Sequence, residues 1–394
     1  MIEPKLRFKA FSDELSHHTL MDIIVEKPSN GIMNRQSDKV TAVKHINVID
    51  MYTDDKIHVD ELSYSEYGDT AVEKCNVEIG DIFLTRSSVK ADGIAKSNIL
   101  LDDGIYVYDD HLIRLKVDKN NYIPEFVNDY LASPRFRRQF IVRAKTTAFT
   151  TIGQGDVASC TGDFPSLPEQ QKIAEFLSTI DTVIAKQKET VSAWEERKKG
   201  VMQKLFNQEV RFKADDGSEF PDWEKKKLED VVEFLDGQRK PLEAGQRVSG
   251  KYPYYGASGI IDYVEDYIFD EELILLSEDG ANILDRNYRV CFLAKGKYWV
   301  NNHAHVLRAM DGNVNGFICE QLESFDYRKY NSGGAQPKLN QATCRSIIMN
   351  IPCLAEQQKI ADCLSSLDEV IEKQKATLAA WEELKKGLLQ QMFV

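Results

Sequence analysis

Residues 133–149, SPRFRRQFIVRAKTTAF, concentrate cationic and hydroxyl side chains. Arg135, Arg137, Arg138, Arg143 and Lys145 stand beside Thr146 and Thr147, with no carboxylate among them. Guanidinium forks and hydroxyls at this density suit phosphate oxygens and guanine edges. The competing assignment is a solvated helix face. Arg135, Arg137 and Arg138 crowd too closely for all three to read bases, so at least one is expected on phosphate. A second candidate set is Tyr254, Tyr255, Ser258, Arg286, Asn301, Asn302, His303, Arg328, Lys329 and Lys338. Fewer than half of these are expected to make contact, the rest being structural.

Other chemistry finds little support. The chain has no GxxxxGK[ST] loop and no GxGxxG motif after a strand, so no phosphate cradle is signalled. Asn-Pro-Pro-Tyr-like tetrapeptides are absent, and Pro221-Asp222 with Glu224 and Lys226 is too tightly spaced for a nuclease carboxylate set. His303 and His305 alternate along a strand without a neighbouring Cys or carboxylate to complete a metal site, and are expected to be ordinary strand-surface histidines. Seven scattered cysteines with no CxxC pair suggest buried thiols in a reducing cytosol. No apolar run reaches the ~18 residues of a membrane span, and the opening MIEPKLRFKAF is no signal peptide, so a cytoplasmic location is expected. The net charge of −13 argues against nucleic acid for the chain as a whole, but a local basic patch decides what docks.

The elements that must position these groups are two copies of one unit. Residues 165–206 and 352–393 align without a gap, with 26 of 42 positions identical. In the first copy Ile173, Leu177, Ile180, Ile184, Gln187, Val191, Trp194, Lys198, Val201 and Leu205 recur at alternating four- and three-residue steps. In the second the series is Ile360, Leu364, Leu367, Ile371, Gln374, Leu378, Trp381, Lys385, Leu388 and Met392. That period marks a coiled-coil seam. Both seams break at Gln and then Lys, which costs stability but can fix register and partner. The two helices are expected to pack on each other within one chain; pairing with a copy in another chain is the alternative. Ser166 and Glu169 fit a capping box at the first helix. Gly200 and Gly387 mark either helix ends or points of close packing.

The repeat extends beyond the helices, because LRFKAFSDE near the start is echoed by VRFKADDGSEFPDWE from Val210. Each unit is a globular segment followed by a long helix. In the first segment KVTAVKHINVIDMY, EIGDIFLTRSS and GIYVYDDHLIRLKV are strand candidates. NYIPEFVNDYLASPRFRRQFIVRAK is helical with a break at Pro134, and TTAFTTIGQGDVASC is expected as a loop. The second segment reads as β-rich, ending in the loop SGGAQPKLNQ. That loop occupies the frame position of KTTAFTTIGQ, 187 residues earlier, with changed side chains. A shared frame with divergent loops suggests two sites of one kind with different targets.

The motif P-x-L-x-E-Q-Q-K-I-A…LD-x-V-I-x-K-Q-K, with YPYYGASGIIDYV, VNNHAHVL and QPKLNQ in the second segment, resembles the specificity subunit of type I restriction–modification systems. The resemblance covers essentially the whole chain. It implies an α+β fold: two globular α/β target-recognition domains separated by two long antiparallel helices forming an intramolecular coiled coil, with a pseudo-two-fold internal repeat. The expected divisions are 1–164 and 211–350 for the recognition domains, 165–210 and 351–394 for the helices. It further implies a non-catalytic chain that reads double-stranded DNA in two halves and docks methyltransferase subunits, two in number, with restriction subunits joining them. S-adenosylmethionine, ATP and Mg would belong to those partners and no cofactor to this chain. A cytosolic protein-binding scaffold with duplicated modules is the alternative.

Overall fold

The computed structural model describes residues 4–53, 55–146, 149–334 and 336–393. The chain forms two compact units, Met1–Lys188 with Ala376–Val394, and Glu189–Lys375. Compactness thus groups each globular lobe with one end of each long helix.

In the first unit a sheet runs in the order Ser29–Asn30, Leu112–Leu115, Ile82–Thr85, Ser97–Ile99, all antiparallel. Alternation along its strands sorts side chains to two sides. Ile82 and Leu84 enter the core shared with the helices, while Phe83 enters a second cluster with Tyr108 and Val107. Burial on both faces explains the unbroken apolar run IFL. A second sheet orders Gln36–Ser37, Ser63–Ser65, Val43–Ile46 and Ile105–Tyr108, the last pair parallel. The strand candidate GIYVYDDHLIRLKV forms two strands, turned at Asp109–His111.

Helix α1 (Pro124–Ala132) and helix α2 (Pro134–Arg143) meet at Ser133, held extended ahead of Pro134. The expected loop after them instead contains a ribbon, Lys145–Thr146 paired with Thr150–Thr151, and a short helix Gln154–Ala158. Helix α3 (Leu167–Phe206) follows. Ile173, Leu177, Ile180 and Ile184 of its first half are buried with Leu388 and Met392. Asp181 pairs with Lys385 and Lys188 with Glu382, so the partner number falls as the α3 number rises and the helices run antiparallel here.

The second unit repeats the plan. Its main sheet orders Val232–Phe234, Ala304–Ala309, Leu273–Ser277 and Cys291–Ala294. Ile274 and Leu276 face the helix side, Leu273 and Leu275 the other. Helix α4 (Asn315–Glu323) is the counterpart of α1, and helix α5 (Leu354–Met392) closes the chain. Ile360, Leu364 and Leu367 of α5 pack with Val201 and Leu205 of α3. Glu195–Lys375 and Lys198–Asp368 again pair in antiparallel order. Ile371 is buried, while Gln187, Trp194, Gln374 and Trp381 are half-buried seam positions. Gly200 and Gly387 neither end a helix nor permit close packing: a Cβ at Gly200 would meet nothing, and at Gly387 only the Gln391 amide at 4.0 Å.

The EQQ motif docks each lobe on its helix. Both Glu169 oxygens accept from Arg7 at 2.7 Å, so this residue serves the lobe and not the expected capping box. Glu356 accepts likewise from Arg211 at 3.1 and 2.7 Å. The Ile123 N–H, ahead of α1, donates to Gln170 Oε1 at 3.0 Å, and the Val314 N–H, ahead of α4, to Gln357 Oε1 at 3.0 Å. Each Gln thereby satisfies a donor at the start of a lobe helix. The RFKA echo and the EQQ motif are two halves of one contact, made twice.

Candidate nucleic-acid interface

The basic stretch on α2 divides into structural and exposed members. Arg135 Nη1 lies 2.6 Å from Asp163 Oδ2, and His17 Nδ1 is 2.6 Å from Oδ1 of the same carboxylate. Burial opposes the charge of Asp163, but the bonds from His17 and Arg135 prevail and hold its pKa below the ordinary value. Arg137 donates to the carbonyls of Ala95 and Asp92, both at 2.6 Å, tying α2 to the turn at Ala91–Gly93. Arg135 and Arg137 are thus committed to the fold. Arg138 and Lys145 are exposed and form no ion pair among the described residues, and Arg143 makes only a 3.4 Å contact to Gln139 O. Thr147 lies outside the described residues.

Around this stretch the first lobe assembles a face from three loops. Ser87–Ser88 pairs with Thr150–Thr151, which pairs with Lys145–Thr146. The Thr146 and Thr150 hydroxyls are 3.1 Å apart. The Arg86 N–H donates to His111 O at 2.7 Å, and the His111 N–H to Asp109 Oδ1 at 2.7 Å, which fixes the Asp109–His111 turn beside Ser87. Among the described residues, Asp109, Asp110 and His111 are the one group of three side chains with ligand atoms close enough to share a cation. Asp109 and Asp110 are half-buried and His111 is exposed, and the imidazole is already bonded to both carboxylates.

The second lobe builds the same frame from different residues. The Glu278 N–H donates to His303 O at 2.9 Å, and the His303 N–H to Asn301 Oδ1 at 2.8 Å. Asp279 bridges Lys338 as Ser87 pairs with Thr151. The Ser277 hydroxyl donates to Ala257 O at 2.5 Å, bringing in the turn that carries exposed Ser258. Asn302 and His303 are exposed; His303 Nδ1 is 2.9 Å from Asp279, and Lys338 Nζ is 3.3 Å from Glu278.

His305 overturns the expectation of a strand-surface histidine. It is buried, with Nδ1 2.7 Å from Asp236 and Nε2 donating to Leu339 O at 2.8 Å. Burial works against its charge, yet the Asp236 bond, the neighbouring Cys344 and the Asp236 field together push its pKa up to about 10. It is a charged strut that pins Leu339 to the sheet.

Several other candidates are internal. Tyr254 is 1 % exposed, and its hydroxyl accepts from the Leu242 N–H at 2.9 Å, so it packs the lobe and leaves the candidate surface. Asn301 is buried and shapes its turn, and Tyr255 is half-buried against Tyr298 and Phe292. Arg286 is bound to Glu323, Oε1 at 2.9 Å. Arg328 pairs with Asp326 at 3.2 Å and Lys329 lies over the Tyr330 ring, both exposed. Ser87, Ser88 and His111 were not singled out from the sequence. Aligning DDHLIRL with NNHAHVL, 192 residues on, places His111 opposite His303 and would have revealed that residue.

The family model described as type I restriction modification DNA specificity domain matches residues 46–192 and again 221–380. The chain belongs to that family. The doubled match coincides with the doubled frame. A protein of Haemophilus influenzae, provisionally named a type I restriction enzyme specificity subunit, is 38% identical over 152 residues, 39% of this chain and 38% of that one. A Methanocaldococcus jannaschii protein with the same provisional designation is 26% identical over 394 aligned positions, covering 93% of this chain and 90% of the relative. The crystal structure of the type I restriction–modification S subunit from M. genitalium covers 100% of this chain and 99% of that chain, with a TM-score of 0.62 at 15% identity. The last likeness is one of fold. No helix among the described residues is long and apolar enough to cross a membrane.

Proposed function

We propose that this chain is the DNA-reading subunit of a type I restriction–modification complex, each lobe reading one half of a split double-stranded sequence. One observation carries the reading: the two lobes hold the same loops in the same frame with different side chains. Ser87–Ser88, His111 and Thr150–Thr151 in the first lobe stand where Asp279–Gly280, His303 and Pro337–Lys338 stand in the second. Loops free to vary on a fixed scaffold are how one fold acquires different specificities.

The long helices dock two methyltransferase subunits, and restriction subunits join that assembly. The chain performs no catalysis of its own and holds no cofactor. S-adenosylmethionine, ATP and Mg are bound by the partners. Those partners also supply much of the phosphate contact, which fits a net charge of −13 with only local cations such as Arg138 and Lys145. The test is to expose DNA to this chain with its methyltransferase and sequence the methylated adenines. A two-part motif with a fixed unread spacer is expected; methylation without sequence preference would overturn the reading.

A further inference from the structure

The face of the first lobe opens into a cleft lined by Tyr52, Ser87, Ser88, Val89, Lys90 and Phe149 among others. Its chemistry differs from that of the second lobe. Three large apolar side chains stand in solvent here: Tyr52 is 51%, Val89 80% and Phe149 56% exposed. The hydroxyls of Ser87 and Ser88 stand between them, and Lys90 and Asp92 complete the polar lining. Arg137, which bonds the backbone of the lining residue Asp92, is spent on the Asp92 and Ala95 carbonyls. Lys90 is the one cation among the lining residues. Across the same frame position the second lobe carries Glu278, Asp279, His303 and Lys338, an ionic set.

Exposed hydrocarbon beside a DNA-reading ribbon has a specific use. In the major groove the C5 methyl group of thymine is the apolar feature of a base pair, and Phe or Thr methyl contacts read it. The Lys145–Thr146 and Thr150–Thr151 ribbon is of a kind the major groove admits, and Phe149 directly precedes its second strand.

We infer that this cleft reads a thymine of the first half-site through its methyl group, with Phe149 as the apolar contact and the Ser87 and Ser88 hydroxyls on the polar edge beside it. The inference rests on the DNA-reading function proposed above. It makes the first half-site depend on a methyl group and leaves the second half-site unconstrained.

The experiment uses the full chain assembled with its methyltransferase, and duplexes in which each thymine of the first half-site is replaced in turn by deoxyuridine. This removes the methyl group and nothing else. One position is expected to weaken binding about fourfold, the worth of one buried methyl group. Phe149→Ala should lose about the same on thymine DNA and be indifferent to deoxyuridine there, while Phe149→Leu should keep the discrimination. Because Phe149 is half exposed, neither change threatens the core. Equal binding to thymine and deoxyuridine at every position, or a Phe149→Ala protein that still discriminates, overturns the inference while leaving the DNA-reading function intact. Binding with no preference in either half overturns that function itself.

Discussion

Lys198 Nζ lies 2.7 Å from each carboxylate oxygen of Asp368, on the facing helix. It also lies 3.0 Å from Glu320 Oε2 of α4. This lysine is one of the two that interrupt the apolar seam, and its counterpart Lys385 is paired with Asp181, the counterpart of Asp368. Arg289 adds a second cation, bonded to Glu320 and 3.4 Å from Asp368. The seam is polar here because one buried ammonium fastens helix to helix and lobe to helix at once.

Replacing Lys198 by Met leaves Asp368 and Glu320 facing each other with Arg289 alone. Asp368 keeps partial access to water, which softens the loss. The expected destabilisation is about 1–3 kcal/mol. Urea unfolding of the full chain measures it. Adding Asp368→Leu to Lys198→Met should recover part of the loss, since a matched apolar pair is better than an unpaired buried charge. If the double variant is less stable than the sum of the singles, the ion pair is not what holds this position.

The exposed cations of α2 and its ribbon should act on DNA differently from the structural ones. Arg138→Ala and Lys145→Ala are expected to weaken binding to all sequences and make the salt dependence shallower by about one phosphate contact each. Arg137→Ala removes the bonds to Ala95 and Asp92 and should lower thermal stability with the salt slope unchanged. Binding constants of the assembled complex across a salt series separate the two outcomes.

What was legible in the sequence follows from what is periodic or repeated. The seam, the packing of its helices on each other and the lobe–helix echo show as spacing and identity, while their antiparallel sense is what the family resemblance implies. Ion-pair partners do not. The α2 stretch contains no acid, yet Asp163 arrives from a strand beyond the ribbon to take Arg135. Glu169 sits where a capping box needs it and is taken by Arg7, from the other end of the lobe. Ser87 and Ser88 read as the tail of a strand because their partners, Thr150 and Thr151, lie in a stretch with no strand pattern of its own. Contacts between segments distant in sequence decide each of these, and single-residue chemistry carries no trace of them.

The buried His305 gives the second unit a pH dependence. Its folded pKa, pushed up to about 10, lies above the ordinary 6.5. The charged form is therefore favoured by folding, and its contribution is complete below about pH 6.5 and lost as pH rises through about 10. Asp236 has the opposite sign: burial raises its pKa, but the His305 bond and charge, the Val306 N–H and Arg239 together outweigh that and lower it, so its contribution persists until pH falls below the ordinary carboxylate range. Nuclear magnetic resonance should find one imidazole still protonated at pH 9. In His305→Gln that signal disappears and the alkaline loss of stability flattens. An imidazole titrating near its ordinary value would remove the strut.

The central claim is that each lobe specifies its own half of the target. Its most direct measurement is the methylated-adenine consensus produced by the complex after residues 211–350 are exchanged for the equivalent segment of a family member with a different target. The account predicts that one half of the methylated sequence changes and the other is retained base for base. Both halves changing, or neither, would contradict it.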